Sequence, residues 1–213
     1  MGSSNPIFAR LYTRLAASME RHGGDEHRRR LLADLRGRVL EVGAGHGINF
    51  GYYPDAVTGV VAVEPEPYLR AEAVRAAGRA AMPVEVVDGE AERLPVASDA
   101  FDAVVVSLVL CSVDDPQTAL DEIVRVVRPG GQLRFYEHVR AEAPRLARVQ
   151  ERVDIVWPYV GAGCHTSRDT LSTIERAGFE VEEVDHFRFP PTRRVFIPTS
   201  PHVLGRASLT DTS

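Results

Sequence analysis

A doubly wound α/β fold, built on a mostly parallel sheet, is predicted by three features of this 213-residue chain. Short apolar runs alternate with amphipathic segments from residue 37 to residue 138. The runs at 57–63 and 101–108 are apolar almost throughout, as strands covered on both faces are. The first run empties into a turn with glycine at every second position, 43, 45 and 47. Folds of this class bind ligands outside the carboxyl ends of their strands. The length suits one domain with a full core, and two late runs predict an antiparallel hairpin at one sheet edge.

Taken in order, residues 6–20 place Ile7, Leu11 and Leu15 at helical spacing beside Phe8 and Tyr12. This predicts a helix ahead of the sheet, and residues 1–36 read as an N-terminal helical lid with Tyr12 as its polar tip toward a ligand. Gly23-Gly24 breaks the chain before a second helix at 25–35, whose Arg28, Arg29 and Arg30 read as a solvated face. After the glycine turn a helix is expected from near Gly47. Pro67 opens another as its first residue, with Leu69, Ala73, Ala76 and Ala77 inward. A strand at 83–88 and a loop at 89–95 precede the run at 101–108. Asp115-Pro116 caps a helix carrying Leu120, Ile123, Val124 and Val127, which Arg128-Pro129-Gly130-Gly131 ends. A strand from Gln132 to His138 follows. Residues 141–160 read as helix, Thr166 or Ser167 caps the next one through Ala177-Gly178, and strands near 180–189 and 201–209 complete the sheet. Phe189-Pro190-Pro191 reads as loop, and the tail from Arg206 as a fraying end.

The glycine turn points to a nucleotide-like cofactor, because backbone without Cβ atoms can be approached closely. A dinucleotide fingerprint needs glycine at position 48, where Ile48 stands. The pattern present is Glu41-x-Gly43-x-Gly45-x-Gly47. A carboxylate at Glu41 repels a pyrophosphate but suits the ammonium group of a methionine moiety, which points to S-adenosylmethionine. Glu64 ends the second strand nineteen residues beyond Gly45, where an acid can accept both hydroxyls of a ribose. Glu41, Glu64, Glu90, Ser107, Cys111, Glu137 and His138 all fall at predicted carboxyl ends of strands.

Composition narrows the classes. A formal charge of −5 and pI of 5.8 disfavour nucleic acid as partner and leave small molecules. All 25 basic residues are arginine, which excludes a Schiff-base lysine and, with it, the Tyr-x-x-x-Lys pair of a nicotinamide dehydrogenase. Cys111 and Cys164 form neither a C-x-x-C pair nor a zinc knuckle, and they are too few for a disulfide scaffold. No signal-peptide pattern and no apolar run near ~18 residues is present, so a cytoplasmic chain without a membrane span, monomer or homodimer, is expected.

The motifs at 40–47 (LEVGAGHG), Glu64, 89–95 (GEAERLP), 101–105 (FDAVV) and 126–131 (VVRPGG) resemble the class I S-adenosylmethionine methyltransferases, in the branch of the ubiquinone and menaquinone enzymes. Within it, 108–113 (LVLCSV), 136–142 (YEHVRAE), Asp154, Trp157, Gly163-Cys164 and Arg168 resemble the thiol S-methyltransferase group. The resemblance implies a Rossmann-like methyltransferase sheet with a substrate-side insert at about 141–168. It implies that Glu64 holds the ribose, Glu90 and the backbone of Ala91 the adenine, and Gly43, Gly45 and Gly47 the methionine part. Ser107 and Leu108 lie beneath the sulfonium, and Ala44, Asn49, Pro65 and Gly89 complete the cofactor set. On the acceptor side stand Cys111, Glu137, Trp157, Cys164 and Arg168. Displacement at an activated methyl group requires alignment and no metal. A thiol acceptor reacts as thiolate, so a base is expected, His138 first and His165 second. An O-, C- or N-methyltransferase would share every cofactor residue.

Overall fold

The computed structural model describes residues 23–161, 163–190 and 197–209. The segment expected as a helix at 6–20, with Tyr12, lies outside them. Among the described residues, helix α1 (Asp25–Leu32) leads into strand β1 (Gly37–Val42), a four-residue 3₁₀ turn (Ile48–Gly51), β2 (Val57–Val63), α2 (Pro67–Ala77), β3 (Val84–Val87) and β4 (Phe101–Ser107). Then come α3 (Pro116–Val126), β5 (Val127–His138), α4 (Pro144–Val153), the short α5 (Trp157–Val160), α6 (Thr170–Arg176), β6 (Phe179–Arg188) and β7 (Pro201–Leu209).

The sheet has seven strands in the order β3-β2-β1-β4-β5-β7-β6. Pairs among the first five are parallel, and β7 lies antiparallel between β5 and β6. This is the predicted doubly wound sheet with an antiparallel edge hairpin. Strand order reverses between β1 and β4, so their carboxyl ends open the crevice where such folds take ligands.

Strand alternation builds one core on each face. Leu40, Val42, Val104, Val106, Leu133 and Phe135 pack with Leu120 and Ile123 of α3 and Ile174 of α6. Val39, Ala103, Val105 and Tyr136 pack on the other face with Leu31 and Leu32 of α1 and with Phe50 and Tyr53. Each such aliphatic side chain contributes on the order of 1.5–3 kcal/mol relative to exposure. Helix α3 starts as predicted, with the Asp115 carboxylate accepting from Gln117 N at 3.0 Å and Thr118 N at 3.3 Å, a cap worth about 1 kcal/mol.

Several local expectations are corrected. The helix expected after Gly47 is only a 3₁₀ turn, because Pro54 disfavours helical backbone at Tyr53 and the chain turns into β2. Arg28 is buried, unlike Arg29 and Arg30, so the second helix is not wholly a solvated face. Val127 opens β5 rather than closing α3. The helix expected at 141–160 breaks between α4 and α5, where Pro158 lacks the N–H that would bond the carbonyl four residues back. Neither Thr166 nor Ser167 caps α6; both donate to the Asp154 carboxylate, and Asp169 caps instead through Ser172 N at 3.2 Å. The tail stays in β7 to Leu209 because Arg206, Ala207 and Ser208 pair with β5.

One buried side chain gathers several segments of the insert. Gln150, fully buried on α4, accepts from Ala141 N at 2.7 Å and donates to the carbonyls of Val139, Thr166 and Pro198 at 3.1, 2.7 and 2.9 Å.

Candidate active site

The glycine turn forms a smooth cradle. Gly43, Gly45 and Gly47 all have positive φ, and a Cβ at Gly43 would come within 2.5 Å of Val109. The amides of this turn are spent internally. Gly43 N and Ala44 N donate to Val63 O at 2.8 and 3.1 Å, Gly47 N to Ala44 O at 3.0 Å, and Gly45 N to Glu64 Oε2 at 2.7 Å. A phosphate site needs such donors free, so the cradle offers a ligand its shape and the Glu64 carboxylate. Glu64 is 5 % exposed and also accepts from Glu66 N at 2.9 Å. Burial raises its pKa, and these two amides oppose the rise.

Glu41 does not line this cradle. The strand pleat puts it on the same face as Val39, beneath the 3₁₀ turn, where it is 2 % exposed. Asn49 Nδ2 and the Tyr53 hydroxyl each donate to it at 2.8 Å, and Arg28 Nη1 donates to Asn49 Oδ1 at 2.8 Å. Burial pushes its pKa up to about 7, against the pull of Tyr53, Asn49 and Arg28. The expected contacts of Glu41 and Asn49 with cofactor are therefore corrected to support of the turn from below. Tyr53 and Arg28 belong to this network and were missed by the sequence reading; the alternation of β1 was the signal that carried it.

The rest of the rim comes from three loops. Pro65 is exposed beside Glu64, and Glu90 is exposed next to the buried Ala91. A Cβ at Gly89 would meet Pro95 Cδ at 2.6 Å, so glycine lets the 89–95 loop close on itself. Ser107 ends β4 with its Oγ buried and without a hydrogen-bond partner, and Leu108 takes φ 60° as the chain leaves the strand. A leucine in that region is strained, and such strain gathers at functional sites.

Beyond Leu108 the chain is held by Glu137. This fully buried carboxylate accepts from Val109 N, Leu110 N and Cys111 N at 2.8, 3.0 and 3.1 Å. Burial raises its pKa while the three amides oppose that. Its expected role toward substrate is corrected, since its oxygens are committed to backbone. The other side of the same segment meets the insert: His165 N donates to Cys111 O at 2.7 Å and Arg168 Nη1 to Leu110 O at 2.6 Å.

These ties bring two thiols and one imidazole together. His138 Nδ1 lies 3.2 Å from Cys164 Sγ, and the ligand atoms of Cys111, His138 and Cys164 all fall within 4.8 Å of one another. The neighbouring Cys111 thiol lowers the Cys164 pKa to about 5, against burial and with the help of His138 and Trp157. Cys111 is pushed well above the usual range, by Cys164 first and burial second. Two cysteines 53 apart by numbering thus meet in space. His165 stands apart, with its ring 3.6 Å from Asp154. Trp157 is half-buried and helps to lower the Cys164 pKa, whereas Tyr159 is exposed.

Residues 40–135 match the family described as Methyltransferase domain. The thiol S-methyltransferase TMT1B of Mus musculus is 36 % identical over 185 residues, covering 83 % of this chain and 74 % of the mouse protein. The chain belongs to the class I S-adenosylmethionine-dependent methyltransferases. Two solved structures share the fold of this methyltransferase. A SAM-dependent methyltransferase of Thermotoga maritima has TM-score 0.70 and 23 % identity, covering 96 % of this chain and 99 % of its own. The N-methyltransferase NodS of Bradyrhizobium japonicum WM9, in complex with S-adenosyl-L-homocysteine, has TM-score 0.65 and 19 % identity over 90 % of this chain and 87 % of its own.

The methyltransferase uses S-adenosylmethionine and acts on a small molecule. Its residues fit that cofactor: a glycine-lined cradle whose Gly43, Ala44, Gly45 and Gly47 amides are already bonded within the protein, a carboxylate at Glu64, and the unpartnered Ser107 Oγ. Among the described residues, no helix is long and apolar enough to cross a membrane.

Proposed function

We propose that this methyltransferase methylates small organic thiols on sulfur, with the acceptor held where Cys111, His138 and Cys164 converge. That convergence, at the carboxyl ends of β4 and β5 and three residues past Leu108, is the observation that carries the reading. The similarity to a thiol S-methyltransferase over most of the chain supports it. In this reading Glu64 accepts the ribose hydroxyls, Glu90 and Ala91 meet the adenine, and the glycines enclose the methionine part. Ser107 and Leu108 lie beneath the sulfonium.

Bound S-adenosylmethionine supplies a methyl group already activated for displacement. The chain supplies alignment and an ionised acceptor. A free thiol has a pKa of about 8.5, so its ionisation must be assisted at neutral pH. His138 is the histidine placed for that work, and His165 serves the insert. Trp157 and Arg168 wall the acceptor side. Helix α1 packs into the core and belongs to the body, so the proposed lid role falls to residues 1–20, with Tyr12, which lie outside the described residues. Two free thiols side by side suit a reducing cytoplasm.

The test is a panel of alkyl thiols, aryl thiols, phenols, amines and quinols with methyl-labelled S-adenosylmethionine. Turnover of thiols is expected. Turnover of a phenol, amine or quinol with none of the thiols overturns the sulfur assignment. Deleting residues 1–20 is expected to abolish turnover while leaving the melting temperature nearly unchanged.

A further inference from the structure

We propose that Cys111 Sγ, Cys164 Sγ and His138 Nδ1 form a zinc site with three protein ligands, whose fourth position takes the acceptor as its thiolate. The fourth-ligand part rests on the thiol reading above; the metal site does not. It departs from the metal-free site expected from sequence, where the 52 residues between the cysteines concealed the set.

The donor set decides the metal class. Two thiolates and an imidazole are soft to borderline ligands that suit Zn²⁺ and disfavour Mg²⁺ or Ca²⁺, and a three-ligand zinc keeps an open position for chemistry. Zn–S bonds of about 2.3 Å and Zn–N bonds of about 2.0–2.1 Å put ligand atoms roughly 3.6–3.8 Å apart around a tetrahedron. The observed 3.2 Å between His138 Nδ1 and Cys164 Sγ, and the 4.8 Å limit on all three separations, bracket that span. Small side-chain rotations close the difference.

The ligands stand on separately anchored backbone. Cys111 is pinned by Glu137 through its N–H and by His165 through its carbonyl. His138 ends β5 in register with His202 of β7. Cys164 N bonds Gly161 O at 3.0 Å in a turn where Gly163 has φ +81°, and a Cβ there would approach Ser112 O to 2.9 Å. Cys111 Sγ also has an outer partner, as metal-bound thiolates do: Ser112 Oγ lies 3.4 Å away. Two thiolates balance the metal's charge, and Glu137 and Arg168 beside them carry opposite charges. A buried site needs that balance.

The chemistry balances. Metal binding releases the two cysteine protons to solvent, and the acceptor thiol likewise loses its proton to solvent on taking the fourth position, so the metal takes over the ionising role that His138 has in the metal-free reading. The acceptor sulfur then donates an electron pair to the methyl carbon. One carbon–sulfur bond forms as the donor's breaks, and the electron pair of the broken bond neutralises the sulfonium. The product thioether is uncharged, binds zinc weakly and departs.

The full-length protein, stripped with chelator under reducing conditions, would be titrated with ZnCl₂ against a chromophoric chelator and with CoCl₂ by absorption spectroscopy. Expected are one metal per chain and a thiolate-to-cobalt charge-transfer band. Cys164→Ser and His138→Gln should weaken Zn²⁺ binding roughly a hundredfold or more. Circular dichroism and a melt establish that each variant is folded, and the wild-type stoichiometry alone decides the matter if a variant is not. Absence of stoichiometric binding by folded wild type, or binding unchanged by both substitutions, overturns the site. A small alkyl thiol should shift the cobalt spectrum; an unchanged spectrum with metal bound overturns the fourth-ligand part. Thiol methylation without metal binding would sink the site and leave the thiol reading standing, whereas metal binding with turnover of phenols alone would do the reverse.

Discussion

The Tyr53 hydroxyl donates to the Glu41 carboxylate at 2.8 Å beneath the glycine turn, so an acid at the heart of the glycine motif is bound by the protein's own groups. Burial lifts the folded-state pKa of Glu41 to about 7 from an ordinary 4.5. Between those values the folded protein keeps a proton that the unfolded chain has lost. The associated stability is fully present below about pH 4.5 and is lost as pH rises through about 7. Relative to Glu41→Gln, wild type should therefore lose on the order of 2–3 kcal/mol between pH 5 and pH 8, read from urea unfolding of both proteins. Parallel pH profiles would refute the burial argument.

Glu64 joins the second strand to the first loop through Gly45 N. Charge-assisted hydrogen bonds are worth about 1.5–3 kcal/mol, so Glu64→Gln should weaken S-adenosyl-L-homocysteine binding by about one to two decades in calorimetry. Binding equal to wild type would remove Glu64 from the cofactor site.

Gly47 and Gly51 stand at opposite ends of the same short turn and should respond differently to alanine. At Gly47 φ is +77°, and a Cβ would meet Phe50 at 2.6 Å and Ala76 at 2.9 Å. Gly47→Ala should lose about 2–5 kcal/mol from overpacking and left-handed backbone strain. Nothing lies within 4 Å of a Cβ at Gly51, so Gly51→Ala should stay within about 0.5 kcal/mol of wild type. Thermal unfolding separates the two, and equal losses would contradict the steric account.

Asp154 fastens the insert through Thr166 N at 2.6 Å, Thr166 Oγ1 at 2.8 Å and Ser167 Oγ at 2.5 Å. Burial opposes its charge, but these hydrogen bonds prevail and hold its pKa below the usual range. Asp154→Ala should speed amide exchange at residues 163–168, leave the strands protected and lower turnover. Unchanged exchange there would show that Gln150 alone holds the segment.

The sheet was legible because Val57–Val63 and Phe101–Ser107 are dense in valine, and only a doubly covered sheet accommodates such runs. Asp115-Pro116 was legible because capping is local chemistry. What the sequence hid was side-chain direction and long-range meeting. Glu41 looked like a ligand until the pleat turned it under the loop, and Arg28 looked solvated until Asn49 received it. Thr166 was read as a cap because its partner, Asp154, lies twelve residues earlier across a break in helix. Cys111, His138 and Cys164 carry no local signal of one another; Glu137 and the insert assemble them.

The grip of Glu137 on three consecutive amides gives the reaction centre a floor with no slack. In-line displacement tolerates only small errors in distance and angle, and a floor locked to the middle of the sheet holds them through each cycle. With the floor fixed, the insert that roofs it is the part of the described site that can yield as acceptor enters and product leaves. Its ties to the floor, such as His165 N to Cys111 O and Arg168 to Leu110 O, are polar bonds that water can replace. Substitutions that alter the rhythm of opening should therefore fall in the insert and change turnover without touching cofactor affinity, whereas changes at Glu137 should disturb alignment and leave the gate alone.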